Sequence, residues 1–116
     1  MANGIESSIR DFVGTWHIVE MEIWDKEYFN IEVQAYLRIR KSGTGNFQFG
    51  LVSGQIDGHV EESASGRRFS FTWEGQSEMD PVSGSGWLKK TAAEKAEGMI
   101  NMHMHDRSSF RAVKAR

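Results

Sequence analysis

Short segments of alternating apolar and polar residues, separated by glycine-rich turns, set the limits on what this chain can fold into. The clearest segment runs from Arg68 to Gly75, where Phe69, Phe71 and Trp73 fall on one side and polar residues on the other. A period of two is typical of a β-strand with one buried face. Similar segments recur about every 8 to 12 residues, which is the spacing of an all-β sandwich or barrel. The sequence therefore predicts an antiparallel all-β fold.

Turn residues and chain length bound the number of domains. Twelve Gly against a single Pro indicate many turns between short strands. At 116 residues, the whole span 1–116 is predicted to form one domain around one core. The longest turn-rich stretch is 76–85, where Pro81 is expected in a turn and not in a strand. A short helix is expected at residues 3–10, because Asn3 and Glu6 form a pair that resembles a capping box.

The first predicted strand, residues 15–24, carries apolar groups on both of its faces. Trp16, Glu20, Glu22 and Trp24 alternate onto one face. Either a bulge exchanges the two faces midway, or both faces are covered. If the tryptophan face points inward throughout, both carboxylates enter the interior. Each then needs a partner, water or a ligand, because an unpaired buried carboxylate is costly.

The segment 25–33 interrupts the alternation with aromatic and apolar residues. We predict a loop or a single helical turn here. It is expected to cover a barrel end or the opposite face of the first strand, which carries Val19, Met21 and Ile23. A lid over a cavity is the alternative.

The run Gly14-Thr15-Trp16 gives the sequence a resemblance to a known family. A short helix, this Gly-x-Trp motif and then a meander of strands resemble the calycins, which include lipocalins, fatty-acid-binding proteins and avidin-like proteins. The resemblance implies an antiparallel up-and-down β-barrel of about eight strands, closed at one end by Trp16 with an arginine of the last strand across the indole. Arg111 stands at that position, and such a cation–π contact is worth about 1 kcal/mol. The runs 19–25, 71–75 and 83–87 are also similar to segments of small bacterial proteins that carry no assigned activity.

In such a barrel, the core side chains also line any ligand site. The predicted lining consists of Glu20, Glu22, Trp24, Trp73 and Trp87. Indoles with carboxylates suit a small polar or aromatic ligand better than a fatty acid. We therefore predict a non-enzymatic small-ligand-binding barrel without a cofactor.

Two other functions remain open at the level of sequence. The second face of the first strand could support a homodimer or another homo-oligomeric interaction. His103 and His105 lie two residues apart on a predicted strand, 99–105, so they point the same way and could bind one metal ion. The simpler interpretation is that both histidines stand in solvent while Met102 and Met104 fill the core. No pattern of residues predicts a nucleophile.

Composition excludes several chemistries and partners. The absence of Cys rules out disulfides, thiolate zinc sites and cysteine nucleophiles. A formal net charge of −2 gives no general attraction to nucleic acid or anionic membranes. No apolar stretch approaches the roughly 18 residues of a membrane helix, and no basic region followed by an apolar run opens the sequence. We therefore expect a cytoplasmic protein with neither a nucleic-acid nor a membrane partner.

Overall fold

The computed structural model describes residues 9–64 and 66–115, and their architecture is a closed barrel of eight antiparallel strands. Each strand pairs with the next along the chain, and the last pairs with the first. The predicted up-and-down β-barrel is therefore confirmed, and its closure leaves no free sheet edge. The strands are β1 (Gly14–Met21), β2 (Tyr36–Ile39), β3 (Thr44–Phe49), β4 (Val52–Ser63), β5 (Gly66–Ser77), β6 (Asp80–Ala92), β7 (Lys95–Met102) and β8 (Arg107–Lys114).

Up-and-down topology sorts the connections onto two ends of the barrel. The end where β1 starts also holds the turns 40–43 and 93–94, and we call it the tryptophan end because Trp16 lies there. The end where β1 finishes holds the connections 22–35, 50–51, 78–79 and 103–106. We call this the helix end, because its longest connection contains the only helix whose full extent lies in the described residues, α1 (Lys26–Phe29).

Aromatic side chains fill the interior by packing against glycines on the facing strands. Phe47 and Trp73 meet edge to face with their ring centroids 4.9 Å apart. Gly54 lies between them, and a Cβ added there would stand 2.8 Å from both rings. Only glycine leaves room for two rings at this position. The interior is therefore filled by large aromatic side chains that pack over positions without a side chain.

A bulge at Val19 exchanges the two faces of β1. Ile18 pairs with Ala112, whereas Glu20 pairs with Arg111, so β1 contains one extra residue relative to β8. Ile18 and, after the bulge, Met21 point inward and are buried, so the bulge alternative is confirmed. The strand ends at Met21 and not at residue 24 as predicted, because the chain then turns into the loop of the helix end.

The loop that follows β1 covers the helix end, as expected. Asp25 caps α1 by accepting a hydrogen bond from the backbone N–H of Tyr28 at 3.0 Å. Phe29 is buried, and its carbonyl accepts from the N–H of Gly50 at 2.8 Å. The loop is thus fixed to the β3–β4 turn. Within the described ranges, no helix has the length and apolar character needed to cross a bilayer.

The turn predicted at 76–85 is wrong, because this stretch forms the ends of two paired strands. Only residues 78–79 turn, and Pro81 pairs with Gln76 inside the β5–β6 ladder. Strand β7 pairs with β6 only from Gly84 onward. No described strand therefore lies beside Pro81 on its β7 side, so the N–H that proline lacks costs no ladder hydrogen bond. A proline is therefore tolerated here although the segment is a strand.

The predicted N-terminal helix, residues 3–10, lies largely outside the described residues. Ile9 and Arg10 are described, and both are helical. The carbonyl of Ile9 accepts from the N–H groups of Phe12 at 2.9 Å and Val13 at 3.1 Å. This turn delivers the buried Phe12 side chain to the tryptophan end.

Candidate functional site

Trp16 lies at the tryptophan end, and the cation over its indole is Lys114 and not Arg111. Trp16 is fully buried, and its indole N–H donates to the carbonyl of Phe12 at 2.9 Å. Lys114 lies opposite Trp16 in the β1–β8 register, with Nζ 5.0 Å from the ring centroid and 2.6 Å from the carbonyl of Val13. The arginine prediction fails because the residues on either side of Arg111 point inward, so Arg111 itself points out and is 72% exposed.

Glu20 and Glu22 lie on the outside of the barrel and not in its interior, which corrects their expected position. The bulge turns both carboxylates away from the core. Glu20 Oε1 lies 4.0 Å from Nε of Arg111 across the strand pair. Glu22 Oε1 accepts from the backbone N–H of Ser109 at 3.3 Å and from its hydroxyl at 3.4 Å. Neither carboxylate therefore needs a buried partner.

The three tryptophans expected to line one pocket occupy three different places. Trp73 lies in the packed interior and is 4% exposed. Trp24 lies half-buried at the helix end, 4.9 Å from the ring of Phe49. Trp87 points outward from β6 and is half-buried. These three indoles therefore do not form a common interior site. Trp24 lies beyond the end of β1, and Trp87 occupies an outward-facing position of β6.

Four of the predicted site residues nevertheless come together, on the outer surface. Strands β6, β7, β8 and β1 form the floor of a cleft of about 460 Å³, which we call the Trp87 cleft. Sequence reasoning missed three of its members, Glu97, Met99 and Ser109; only the β6–β7–β8 register, which needs the correct strand boundaries, could have found them. The side chains that line it are Glu20, Glu22, Trp87, Glu97, Met99, Ser109 and Arg111.

Strand register explains why these residue types meet. Trp87 lies opposite Met99, and Met99 lies opposite Ser109. The three side chains form a row across the outer surface, with two large apolar groups followed by one small polar group. Beneath that row, a Cβ on Gly98 would stand 2.5 Å from the Phe110 ring, so β7 lies close to the core there. Small side chains beside an indole leave a depression in an otherwise convex barrel wall.

The Trp87 cleft is negatively charged. Among the residues that line the cleft, Glu20, Glu22 and Glu97 outnumber one cation, Arg111, so these four groups have a formal charge of −2. Lys89 lies opposite Glu97 in the β6–β7 register but is outside the lining. Both side chains of the Glu20–Arg111 pair are about two-thirds exposed, so the pair contributes at most about 1 kcal/mol to stability. Arg111 therefore does not cancel the negative potential of Glu22 and Glu97. Such a surface favours a cationic group.

A small network outside the cleft holds the Trp87 indole. The guanidinium carbon of Arg68 lies 5.4 Å from the centroid of the Trp87 ring. Glu61 accepts from Nε of Arg68 at 3.3 Å and from the hydroxyl of Ser70 at 2.7 Å. The hydrogen bond from Ser70, and next that from Arg68, lower the pKa of Glu61 below its ordinary value. The carboxylate is therefore charged when it positions the guanidinium against the indole.

His103 and His105 lie in the turn between β7 and β8 and not on a strand. The predicted strand 99–105 ends at Met102, so the period-two argument for a shared direction does not apply. Both histidines are exposed, and so is Met104, which was expected in the core. In residues 9–64 and 66–115, no group of three or more His, Asp or Glu side chains is placed to hold a metal ion.

The residues proposed for an oligomer contact do not share one face. Met21 points into the core and is 6% exposed, whereas Ile23 lies in the loop beyond β1 and is 45% exposed. Val19 is the extra residue of the bulge and is half-buried. The bulge that turned the two carboxylates outward also divided this apolar set.

A closed eight-stranded antiparallel barrel is compatible with the calycin fold that the Gly-x-Trp motif resembles. No protein-family model, curated protein or solved structure matches this chain. A function for the chain must therefore rest on its own geometry, and the Trp87 cleft is where the predicted residues converge.

Proposed function

We propose that this chain is a non-enzymatic, calycin-like cytoplasmic barrel that binds a small, positively charged polar or aromatic ligand in the Trp87 cleft. One observation carries the proposal: a half-buried indole and three carboxylates surround one concave surface of about 460 Å³. That volume lies within the range of about 300 to 1,000 Å³ usual for small-molecule sites.

The composition of the cleft supports a cationic ligand with an apolar body. Trp87 and Met99 offer an aromatic and a thioether surface side by side. Glu22 and Glu97 flank them with two carboxylates that no guanidinium within 4 Å neutralises in the described structure. An ammonium group near these carboxylates, on a flat apolar body against the indole, gains both ionic and cation–π contacts.

The packed interior supports an outer site over the interior site suggested by the sequence alone. Gly54 already lies within contact distance of the Phe47 and Trp73 rings. A ligand inside the barrel would have to displace these rings, which would remove contacts that hold the fold together. The outer cleft requires no such rearrangement.

The proposal is tested with two probes of similar size and opposite charge, 2-phenylethylamine and 3-phenylpropionate. Binding is followed by NMR at the Met99 methyl group and the Trp87 indole N–H. We expect the amine to shift both resonances with a Kd of about 0.1 to 1 mM, as small ligands of this size allow. The carboxylate is expected to shift neither.

Matched charge variants separate the cleft from the general field of the protein. Glu22→Gln with Glu97→Gln should weaken amine binding about five- to tenfold. Asp57→Asn with Glu74→Gln removes the same charge from exposed positions on β4 and β5 and should change it less than twofold. Equal binding of the two probes, or equal weakening by the two variant pairs, would refute the proposal.

A further inference from the structure

All of the large apolar side chains that stand exposed in the described residues lie at the helix end. Ile23, Ile31 and Val33 belong to the loop after β1 and are 45%, 61% and 46% exposed. Met79 and Met104 lie on the β5–β6 and β7–β8 turns and are 90% and 87% exposed. Scattered exposed apolar residues are normal, but their restriction to one end of a barrel indicates a contact surface.

Hydrogen bonds tie three of the connections at this end to one another and the first loop to β8. The N–H of Gly50 donates to the carbonyl of Phe29 at 2.8 Å, which ties the first loop to the β3–β4 turn. The N–H of Glu78 donates to the carbonyl of Leu51 at 3.1 Å, which ties the β5–β6 turn to the same point. The hydroxyl of Ser108 accepts from the N–H of Ile23 at 3.3 Å, which joins the first loop to β8. The exposed side chains of the first loop and of the β5–β6 turn therefore project from connections that are hydrogen-bonded together, and the first loop is also bonded to β8, which follows the turn that carries Met104.

Both exposed methionines lie on turns with an unusual backbone conformation. The N–H of His105 donates to the carbonyl of Met102 at 2.9 Å, which makes Met104 the third residue of a tight turn. Its φ of 63° is in the left-handed region, where glycine is the usual residue. Glu78, next to Met79, has a φ of 60°. The bulky side chain of Met104 at a positive φ adds strain, and neither methionine packs against the described residues. Contact with a partner would supply that packing.

The two ends of the barrel carry opposite charge. At the helix end, residues 22–35, 78–80 and 103–107 contain seven acidic and two basic side chains, a formal charge of −5. At the tryptophan end, residues 9–13, 40–43, 62–67, 89–95 and 114 contain eight basic and three acidic side chains, a formal charge of +5. The small net charge of the whole chain conceals this separation of charge between the two ends. Such a distribution of charge orients the molecule toward charged partners.

We propose that the helix end docks a basic amphipathic helix of another protein, with its apolar face on Ile23, Ile31, Met79 and Met104. The acidic rim complements lysines and arginines on the flanks of such a helix. Flexible methionine side chains fit apolar faces of varied shape. The surface does not overlap Trp87 or Met99 of the cleft, so this interaction goes beyond the proposed function.

Charge also argues against other occupants. An anionic membrane or a nucleic acid would be repelled by the rim. A second copy would offer the positive tryptophan end, but in the described residues that end exposes no large apolar side chain to match the methionines. The molecule measures about 25 Å along its two shorter axes, so one end of the barrel offers about 500 Å², less than the roughly 800 Å² per partner of a standard interface. The contact is therefore weak and sensitive to salt.

The experiment uses two designed amphipathic peptides of about 18 residues, which as helices span about 27 Å. One combines leucine with lysine, and the other presents the same leucine face with glutamate. The full-length protein is labelled at its methionine methyl groups. We expect the lysine peptide to shift Met79 and Met104, to leave Met99 unchanged and to bind at least fivefold more weakly in 0.5 M than in 0.05 M salt. The glutamate peptide is expected not to bind.

Variants decide whether the methionine surface carries the binding. Met79→Ser with Met104→Gly removes both side chains and relaxes the Met104 turn, so the protein should fold. Because it also removes both methyl probes, its binding is measured by the fluorescence anisotropy of a labelled lysine peptide and should be at least fivefold weaker than that of the wild type. Val113→Ser, on the outer face of β8 near the tryptophan end, is the control and should bind like the wild type. Equal binding by the double variant would overturn the proposal.

Two further outcomes would also overturn it, and each has a distinct reading. Shifts confined to Met99 would assign the peptide to the cleft and so to the proposed function. Concentration-dependent self-association in sedimentation, abolished by the double variant, would identify a second copy as the occupant. Loss of amine binding in the cleft, with peptide binding intact, would refute the proposed function and leave this inference standing.

Discussion

The substitution Gly54→Ala tests whether the barrel interior has any room for a ligand. The added methyl group would lie 2.8 Å from carbon atoms of both Phe47 and Trp73. Ordinary contacts between carbon atoms are about 3.5 to 4.0 Å, so both rings must move apart by more than half an ångström. Rings that already meet edge to face at 4.9 Å cannot do so without disturbing their other neighbours.

The magnitude follows from two opposing effects. An extra carbon in a packed core costs about 1 to 3 kcal/mol. Alanine also restricts the unfolded chain relative to glycine, which returns about 0.4 to 1 kcal/mol. We therefore expect Gly54→Ala to lower the free energy of unfolding by about 0.5 to 2 kcal/mol. For 116 residues this is a fall in Tm of about 2 to 8 °C, measured by calorimetry and urea denaturation.

Two companion variants make the result interpretable. Ser53→Ala, at the exposed neighbouring position on β4, should stay within about 0.5 kcal/mol of the wild type. Phe47→Leu combined with Gly54→Ala should lose at least about 0.5 kcal/mol less than the sum of the single variants, because the smaller side chain returns space. A Gly54→Ala protein as stable as the wild type would refute the packed interior and revive an interior ligand site.

Two further outcomes test the outer contacts. Lys114→Met should cost about 1 to 2 kcal/mol in urea denaturation through loss of the Trp16 contact and a charge-assisted hydrogen bond, whereas Arg111→Met should stay within about 0.5 kcal/mol; the reverse order would restore the arginine closure. The lowered pKa of Glu61 contributes stability that is present above its ordinary carboxyl pKa and is lost as the pH falls through the lowered value. Glu61→Gln should therefore lower the urea midpoint at neutral pH but not at the acid end, and an equal difference at all pH values would show that the hydrogen bonds from Ser70 and Arg68 to the charged carboxylate do not matter.

The all-β class could be predicted because its determinants are local and periodic, whereas closure into an up-and-down barrel was implied by the resemblance to the calycins. The alternation over 68–75 follows the two-residue period of a strand, and the glycine turns separate one strand from the next. Strand β5 of the folded chain keeps this alternation. The expectation that Trp16 closes the barrel came from the resemblance of the Gly-x-Trp run to the calycins, and its burial at the beginning of β1, before the bulge, agrees with that expectation. The break in alternation over 25–33 predicted a loop or a single helical turn, and α1 lies within that segment.

The site could be predicted only in part, because it depends on the parity of residues after a bulge and on register between distant strands. One extra residue at Val19 sends Glu20 and Glu22 outward, although the sequence places them in phase with Trp16. The bulge could be raised as an alternative, but no residue type fixed its position. Glu97 joins the cleft through pairing with β8, which a single sequence does not reveal.

One buried hydroxyl links the two surfaces proposed to bind partners. Ser108 is the only polar residue classed as buried in the described part of the chain, and it accepts from the N–H groups of Glu22 at 3.1 Å and Ile23 at 3.3 Å. Glu22 supplies a carboxylate to the cleft, and Ile23 opens the apolar surface of the helix end. The buried hydroxyl of Ser108 therefore holds two consecutive residues in place, and each of them belongs to a different outer surface. Since both surfaces are acidic, a cationic ligand and a basic partner would compete electrostatically even without touching, and that competition would weaken as salt rises.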